Sequence, residues 1–308
     1  MGRDLCEKFA VARQVFEEAD EAVGFSLSKL CFEGPEEQLR MTEFTQPAIF
    51  TTSIAALRVL AEHGILPSYV AGHSLGEYSA NVAARTISLA DAVRTVRNRG
   101  RYMQEAVPLG EGTMAAILGM GEGDVVQACA DAATETGLVV SAANRNSMEQ
   151  TVISGAVGGV ERAMVLAKER GAKKAVMLHV SAPFHSALMQ PAQDRLAVLL
   201  NDIHFEDPQV PIAVNVDAKL VSSGEAACDA LIRQVTGAVL WVESVRLLIG
   251  EQPTHFIEVG PGRVLSGLMR QIDRNQKCVH VEDSMSLEKT LAALSESAVP
   301  GEVVETKV

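Results

Sequence analysis

The chain has little that would tie it to nucleic acid, a membrane or an oxidising compartment. Positive charge is in deficit: 27 Lys and Arg stand against 39 Asp and Glu, a formal net charge of −12. A surface without a basic excess does not bind a phosphate backbone nonspecifically, so no nucleic-acid partner is expected. Cysteines are few and unpatterned. Cys6, Cys31, Cys129, Cys228 and Cys278 are odd in number, scattered and without a C-x-x-C pair, which fits reduced thiols better than a disulfide frame or a zinc site. No apolar run approaches the roughly 20 residues of a membrane span. The opening MGRDLCEKFAVARQVFEEADEAVGF is charged and helical in pattern rather than a signal peptide. A cytoplasmic protein with no membrane partner and no metal is the expectation.

What is present is 308 residues of ordinary globular composition, 47% hydrophobic, enough for one large domain or a domain with an insert. Apolar spacing predicts helices over Asp4–Ala22 and Gln46–His63, with GPEEQLRMTEFT as a loop between them. PSYVAGHS reads as a short buried strand, LGEYSANVAA as a helix beginning at the serine, and Leu89–Val107 as a further helix ended by Pro108 and Gly110. From Thr113 to Val180 the order is strand, helix, strand, strand, helix, strand. That βαββαβ order is the ferredoxin-like unit, and it sets the insert at 113–180. Around it, 1–112 and 181–308 form an α/β core in which alternating strands and helices imply a mostly parallel sheet. His179 falls in the insert's last strand. The tail after Glu282 has weak patterning and is expected to carry no function.

The motif that carries chemistry is Gly72-His73-Ser74-Leu75-Gly76, a G-x-S-x-G at a strand-to-helix turn. Flanking glycines let backbone approach while Ser74 projects from the strand end. The helix that starts there aims free N–H groups at the reacting centre, making the Leu75 N–H an oxyanion donor candidate. A serine nucleophile needs a base within hydrogen-bond reach. Of seven histidines, His185 in VSAPFHSALM stands out on the loop leaving the insert, with His255 and His280 as competitors. On the helix from Leu89 the apolar stripe runs through Val93, Val96, Gly100, Met103 and Val107. Arg94, Arg97 and Arg101 point off it, but Arg99 sits at its edge. A partly desolvated guanidinium there wants an anion, either a structural carboxylate or a ligand. Glu77, Asp217 and Glu258 have no spacing that sets them apart from solvated or capping residues. EVGPGRVLSG reads as a tight turn, not a phosphate loop.

TQPAIF, AGHSLGEYSA, RGRYMQEAVPLGEGTMAAILGM, AANRNSMEQTVISG, VSAPFHSALM, NVDA, RQVTGAVLWVESV and EVGPGRVLSGL, in that order, resemble the malonyl-CoA:acyl carrier protein transacylase family of bacterial type. The resemblance implies a hydrolase-like α/β core with a ferredoxin-like insert and transfer of malonyl from CoA to acyl carrier protein in fatty-acid synthesis. It makes Ser74 the nucleophile, His185 the base and Arg99 the ligand of the malonyl carboxylate. Gln234 falls where a backbone carbonyl orients the histidine, Gln46 where the pocket is lined, and Asn144 near the CoA cleft. Phe184 falls at the residue that marks the malonyl-selective form. The partners implied are acyl carrier protein and malonyl-CoA, the latter as substrate with no cofactor.

The sequence departs from the family in places. Members begin with an apolar strand and a GQGSQ loop that supplies a second oxyanion N–H, whereas MGRDL already lies past that loop. Loss of one such donor costs about 10²–10³ in rate. Arg85 replaces a usual glycine, His179 a usual proline, and Ala238 stands where proline normally precedes the valine. The rival expectations are an α/β-hydrolase esterase with a late histidine, and a remnant that only binds CoA or carrier.

Overall fold

The computed structural model describes residues 1–178, 180 and 182–297; His179 lies outside the described residues. The first predicted helix is two, α1 (Arg3–Lys8) and α2 (Ala10–Val23), because Phe9 between them is extended at φ −124° and ψ 122°. The stretch expected to be a loop is largely helical. After α3 (Leu27–Glu33) come α4 (Glu36–Leu39) and α5 (Thr42–Glu62), which starts a turn before the predicted Gln46 and keeps Pro47 inside it. Pro47 is the sixth residue of that helix, past the first turn, so it offers no N–H to Glu43 O, four residues earlier.

The serine-bearing corner follows β1 (Val70–Ala71) and opens α6 (Gly76–Ala83). Next comes α7 (Leu89–Glu105), capped by the Ser88 hydroxyl accepting from Asp91 N–H at 3.0 Å. Apolar faces of α2, α5, α7 and the later α10 (Gln190–Asn201) meet in the main core, around Phe16, Phe50, Ile54, Met103, Leu196 and Leu200. Helices α5 and α7 touch closely at Gly100, where an added Cβ would lie 2.6 Å from Thr42 O and 2.8 Å from Glu43 Cα.

Between α7 and α10 the chain runs through β2 (Gly112–Leu118), α8 (Glu122–Thr136), β3 (Val140–Ser147), β4 (Gln150–Ala156), α9 (Val157–Glu169) and β5 (Lys174–Met177). The four strands pair antiparallel in the order β3-β4-β2-β5. Side chains alternate as a strand requires. Ala115, Ile117 and Ile153 close a core with α8 and α9, while Met114, Ala116 and Val152 form a second cluster with Val180 and Phe184. A bulge in β3 shifts the register from Ala142↔Ile153 to Asn144↔Val152. That extra residue turns Asn144 toward the Val152 side. The same strand is clipped to the core by Arg145 N–H to Val239 O at 2.9 Å and Val239 N–H to Ala143 O at 2.8 Å.

The remaining elements are β6 (Ile212–Val214), β7 (Lys219–Val221), α11 (Gly224–Arg233), α12 (Trp241–Gly250), β8 (Phe256–Val259), α13 (Val264–Ile272), β9 (Cys278–Val281) and α14 (Ser284–Ser297). The last is a regular helix in the tail that the sequence left unpatterned. In place of one sheet, the core strands form two small ones. In the first, β1 lies parallel to β6, and β7 antiparallel to β6. In the second, β8 lies parallel to β9. Val70 and Ala71 on one side and Phe256, Ile257 and Val259 on the other line a cavity of about 520 Å³ that separates the two. Among the described residues no helix is long and apolar enough to cross a membrane.

Candidate active site

The corner that carries Ser74 is built by close approach. A Cβ on Gly72 would lie 1.9 Å from both the carbonyl carbon and oxygen of Gly76, so only glycine fits there. Ser74 itself sits at φ 52°, a left-handed conformation costly for a residue with a side chain. Asn215 holds it: its Oδ1 accepts from Ser74 N–H at 2.7 Å and its Nδ2 donates to Gly72 O at 2.8 Å. The strain turns the hydroxyl outward, above the first turn of α6, and nothing among the described residues accepts from the Leu75 N–H.

Ser74 Oγ lies 2.6 Å from His185 Nε2. His185 Nδ1 faces two backbone oxygens, Gln234 O at 2.8 Å and Gly237 O at 3.2 Å. Carbonyls only accept, so Nδ1 carries the proton and Nε2 is left to accept from the serine. The imidazole is 2% exposed. Burial, then the charge of Arg99, pushes its pKa down to about 3, against the pull of the two carbonyls. It therefore rests neutral.

Arg99, also 2% exposed, makes no ion pair among the described residues. Its Nη1 donates to Gln46 Oε1 at 2.7 Å, and its Nη2 to Gln234 Oε1 at 3.1 Å and Ser74 Oγ at 3.0 Å. Its buried Nε has no partner. Burial lowers its pKa. A cation desolvated against neutral acceptors is the electrostatic signature of a site for an anion. The other three arginines of α7 are spent elsewhere: Arg94 on Asp91, Arg97 on Val23 O and the Phe25 ring, Arg101 on Asn98 and Glu105.

A cleft of about 660 Å³ opens over Ser74 between the core and the β2–β5 sheet. Gln46, Leu75, Arg99, Asn144, Phe184 and His185 all line it. Gln234 lies beneath, its carbonyl on His185 and its side chain on Arg99. All eight residues singled out in the sequence thus converge. The competing histidines do not: His255 lines the cavity between the two small sheets and His280 lies on β9. Asp217 pairs with Arg233 at 2.6 Å, and Glu258 caps α13 by accepting from the Leu265 and Ser266 N–H groups.

Three participants escaped the sequence. Asn215 follows β6 and is the first residue of NVDA, a segment that marked the resemblance but gave this residue no role. Asn146 Oδ1 accepts from His73 Nε2–H at 2.8 Å and so ties the corner to β3. Glu77 is fully buried beneath the serine, with Oε2 accepting from Asn215 N–H at 2.8 Å and Gln234 Nε2 at 3.0 Å. Sequence offered no mark to separate it from a solvated carboxylate in the first turn of a helix.

A hydroxyl aimed at a neutral imidazole beside a fixed, unpaired cation, on a strained strand-to-helix corner of an α/β frame, defines a serine-dependent acyl-transfer protein. The chain belongs to the acyl transferase domain family, whose model matches residues 1–290. It is 48% identical over 296 residues to the malonyl CoA-acyl carrier protein transacylase of Bacillus subtilis (strain 168), covering 96% of this chain and 93% of that protein. The solved malonyl CoA-acyl carrier protein transacylase of Clostridium perfringens superposes with a TM-score of 0.93 at 39% identity, covering 96% and 93% of the two chains. A malonyl-transacylase solved with its type II polyketide acyl-carrier protein gives a TM-score of 0.92 at 44% identity, covering 95% and 94%.

Proposed function

We propose that this chain is a malonyl-CoA:acyl carrier protein S-malonyltransferase of fatty-acid biosynthesis, working in the cytoplasm through a malonyl-Ser74 intermediate and without a cofactor. The observation that carries the reading is Ser74 Oγ held between the neutral Nε2 of His185 and the unpaired guanidinium of Arg99. The first is what a nucleophile needs, the second what a carboxylate-bearing acyl group needs. His185 takes the Ser74 proton as Oγ attacks the thioester carbonyl, and the developing oxyanion takes the Leu75 N–H. The carbon–sulfur bond breaks, and His185 returns the proton to the departing CoA thiolate. In the second half the phosphopantetheine thiol of the carrier gives its proton to His185 and attacks the ester. Ser74 then leaves with that proton.

Arg99 anchors the malonyl carboxylate through both halves, steadied by Gln46 and Gln234, while Phe184 and Asn144 wall the cleft. The finer reading of the fold, a hydrolase-like core (1–112 and 181–308) with a ferredoxin-like insert (113–180), is supported by the β3-β4-β2-β5 strand order and the insert's own apolar core. Mass spectrometry after mixing with malonyl-CoA tests the proposal. A malonyl adduct is expected on the Ser74 peptide and not in Ser74→Ala. In Arg99→Ala the preference for malonyl over acetyl should collapse; an intact preference would remove Arg99 from its role.

A further inference from the structure

The transfer chemistry leaves one buried ionisable group beside Ser74 without a task. Glu77, on α6, has no exposed surface, and its Oε1 has no partner. Burying a carboxylate is costly unless something offsets it, so its placement calls for a physical reason. Its Oε2 is the root of two branches. One runs through the Asn215 N–H at 2.8 Å, and Asn215 in turn grips Gly72 O and Ser74 N–H. The other runs through Gln234 Nε2 at 3.0 Å, a group that also donates to Ser74 O at 3.0 Å. An amide presents opposite faces as donor and acceptor. With its NH₂ drawn to Glu77 and Ser74 O, Gln234 must turn Oε1 toward Arg99, where it accepts at 3.1 Å. Flipped, it would set donor against guanidinium and acceptor against carboxylate.

We propose that Glu77 is a positioning residue of the transfer site: it fixes the orientation of the Gln234 amide, and so the seat of Arg99, and holds the Ser74 corner through Asn215. The proposal rests on the transferase reading and adds to it a source for the site's pH response. The charged and titratable groups around Glu77 are Arg99 on α7, Tyr78 on its own helix, His185 on the loop before α10, and Asp217 beyond β6, itself paired with Arg233. Burial is the leading influence on Glu77 and pushes its pKa up to about 7, against the hydrogen bonds from Asn215 and Gln234 and the charge of Arg99. His185, at about 3, titrates far below. Because Oε2 is occupied by donors, the proton enters on the partnerless Oε1. Protonation then leaves the hydrogen bonds standing and removes a negative charge that favours the Arg99 cation without touching it.

Glu77→Gln keeps an acceptor in the Oε2 place and is always neutral; Glu77→Leu fills similar space with no acceptor. Malonyl transfer from CoA to carrier is measured for the parent and both variants from pH 5.5 to 9. The parent rate should fall roughly threefold to tenfold as pH drops through 7. Glu77→Gln should be flat there, near the parent's low-pH value. Glu77→Leu should lose about 10²-fold, with KM for malonyl-CoA raised, as misplaced groups do. Glu77→Gln restores most of that loss. A parent-like limb near pH 7 in Glu77→Gln, or full activity in Glu77→Leu, overturns the proposal. An inactive parent would instead refute the transferase reading. Circular dichroism melts of both variants report whether each is folded.

Discussion

At the scale of the residue, the site is a place where stability has been given up for charge arrangement. Glu77 is the clearest instance. Its pKa rises from 4.5 to about 7 on folding, through burial first. Between those values the native state holds a proton that the unfolded chain has released, so stability falls as pH rises across that window and stays low above it. Glu77→Gln abolishes the effect. In urea unfolding the variant should exceed the parent by up to roughly 3 kcal/mol at pH 8 and converge with it below pH 4.5; equal stability at pH 8 would show that the carboxylate is fully compensated. His185 runs the other way. A base whose pKa drops from 6.5 to about 3 adds native stability that is present above 6.5 and lost as pH falls toward 3. Ser74, His185 and Arg99 stood out as candidates in the sequence because each carries a local mark (a glycine pair, an expected domain junction, the edge of an apolar stripe), and the resemblance then gave them their roles. Glu77 and Asn215 carry none, since their meaning lies in what is stacked above them.

At the scale of the element, helix ends and close contacts decide where the catalytic groups stand. The end of α6 shows why glycine is usual at position 85. Thr86 N–H reaches Asn81 O at 2.9 Å and Arg85 N–H reaches Val82 O at 3.1 Å, the pattern of a helix closed by a left-handed residue, and Arg85 occupies that place at φ 62°. Its side chain is exposed. Arg85→Gly should therefore raise stability by about 0.5–1 kcal/mol in urea unfolding, the relief of strain exceeding the entropy glycine adds to the unfolded chain, with transfer activity unchanged. Gly100 works in the opposite sense. It admits the start of α5 against α7 and so brings Gln46 to Arg99. Gly100→Ala should cost about 1–3 kcal/mol and raise KM for malonyl-CoA more than it lowers kcat. The long amphipathic α7 was legible to within two residues because seventeen residues of helical period average out local noise. Strands β7 and β9, of three and four residues, are too short to show a period. α4 was hidden by the Gly34-Pro35 and polar composition that mark a turn.

At the scale of the whole molecule, the reaction cleft lies where two cores meet, and its two walls are joined by the paired contacts of Val239 with Ala143 and Arg145. A second space lies between β1 and β8. Ala83 lines it. In a filled interior a larger side chain costs about 1–3 kcal/mol; here Ala83→Leu should stabilise by about 1–2 kcal/mol, since each added buried methylene contributes about 0.8. A lower melting temperature would show that the gap closes in solution.

The expectation of one mostly parallel sheet came from the alternation of strands and helices, which specifies how neighbours in sequence connect but not which edges finally pair. By itself the sequence determined the α/β class and the serine corner, because glycine geometry and apolar period act over a few residues; its resemblance to the transacylase family supplied the remaining site residues. Only the tertiary structure decided that Arg99 would be buried without an ion pair among the described residues, that Gln234 would link it to His185, and that Glu77 would stand beneath them. Those outcomes depend on desolvation, and desolvation is set by residues up to about 160 positions away in the chain.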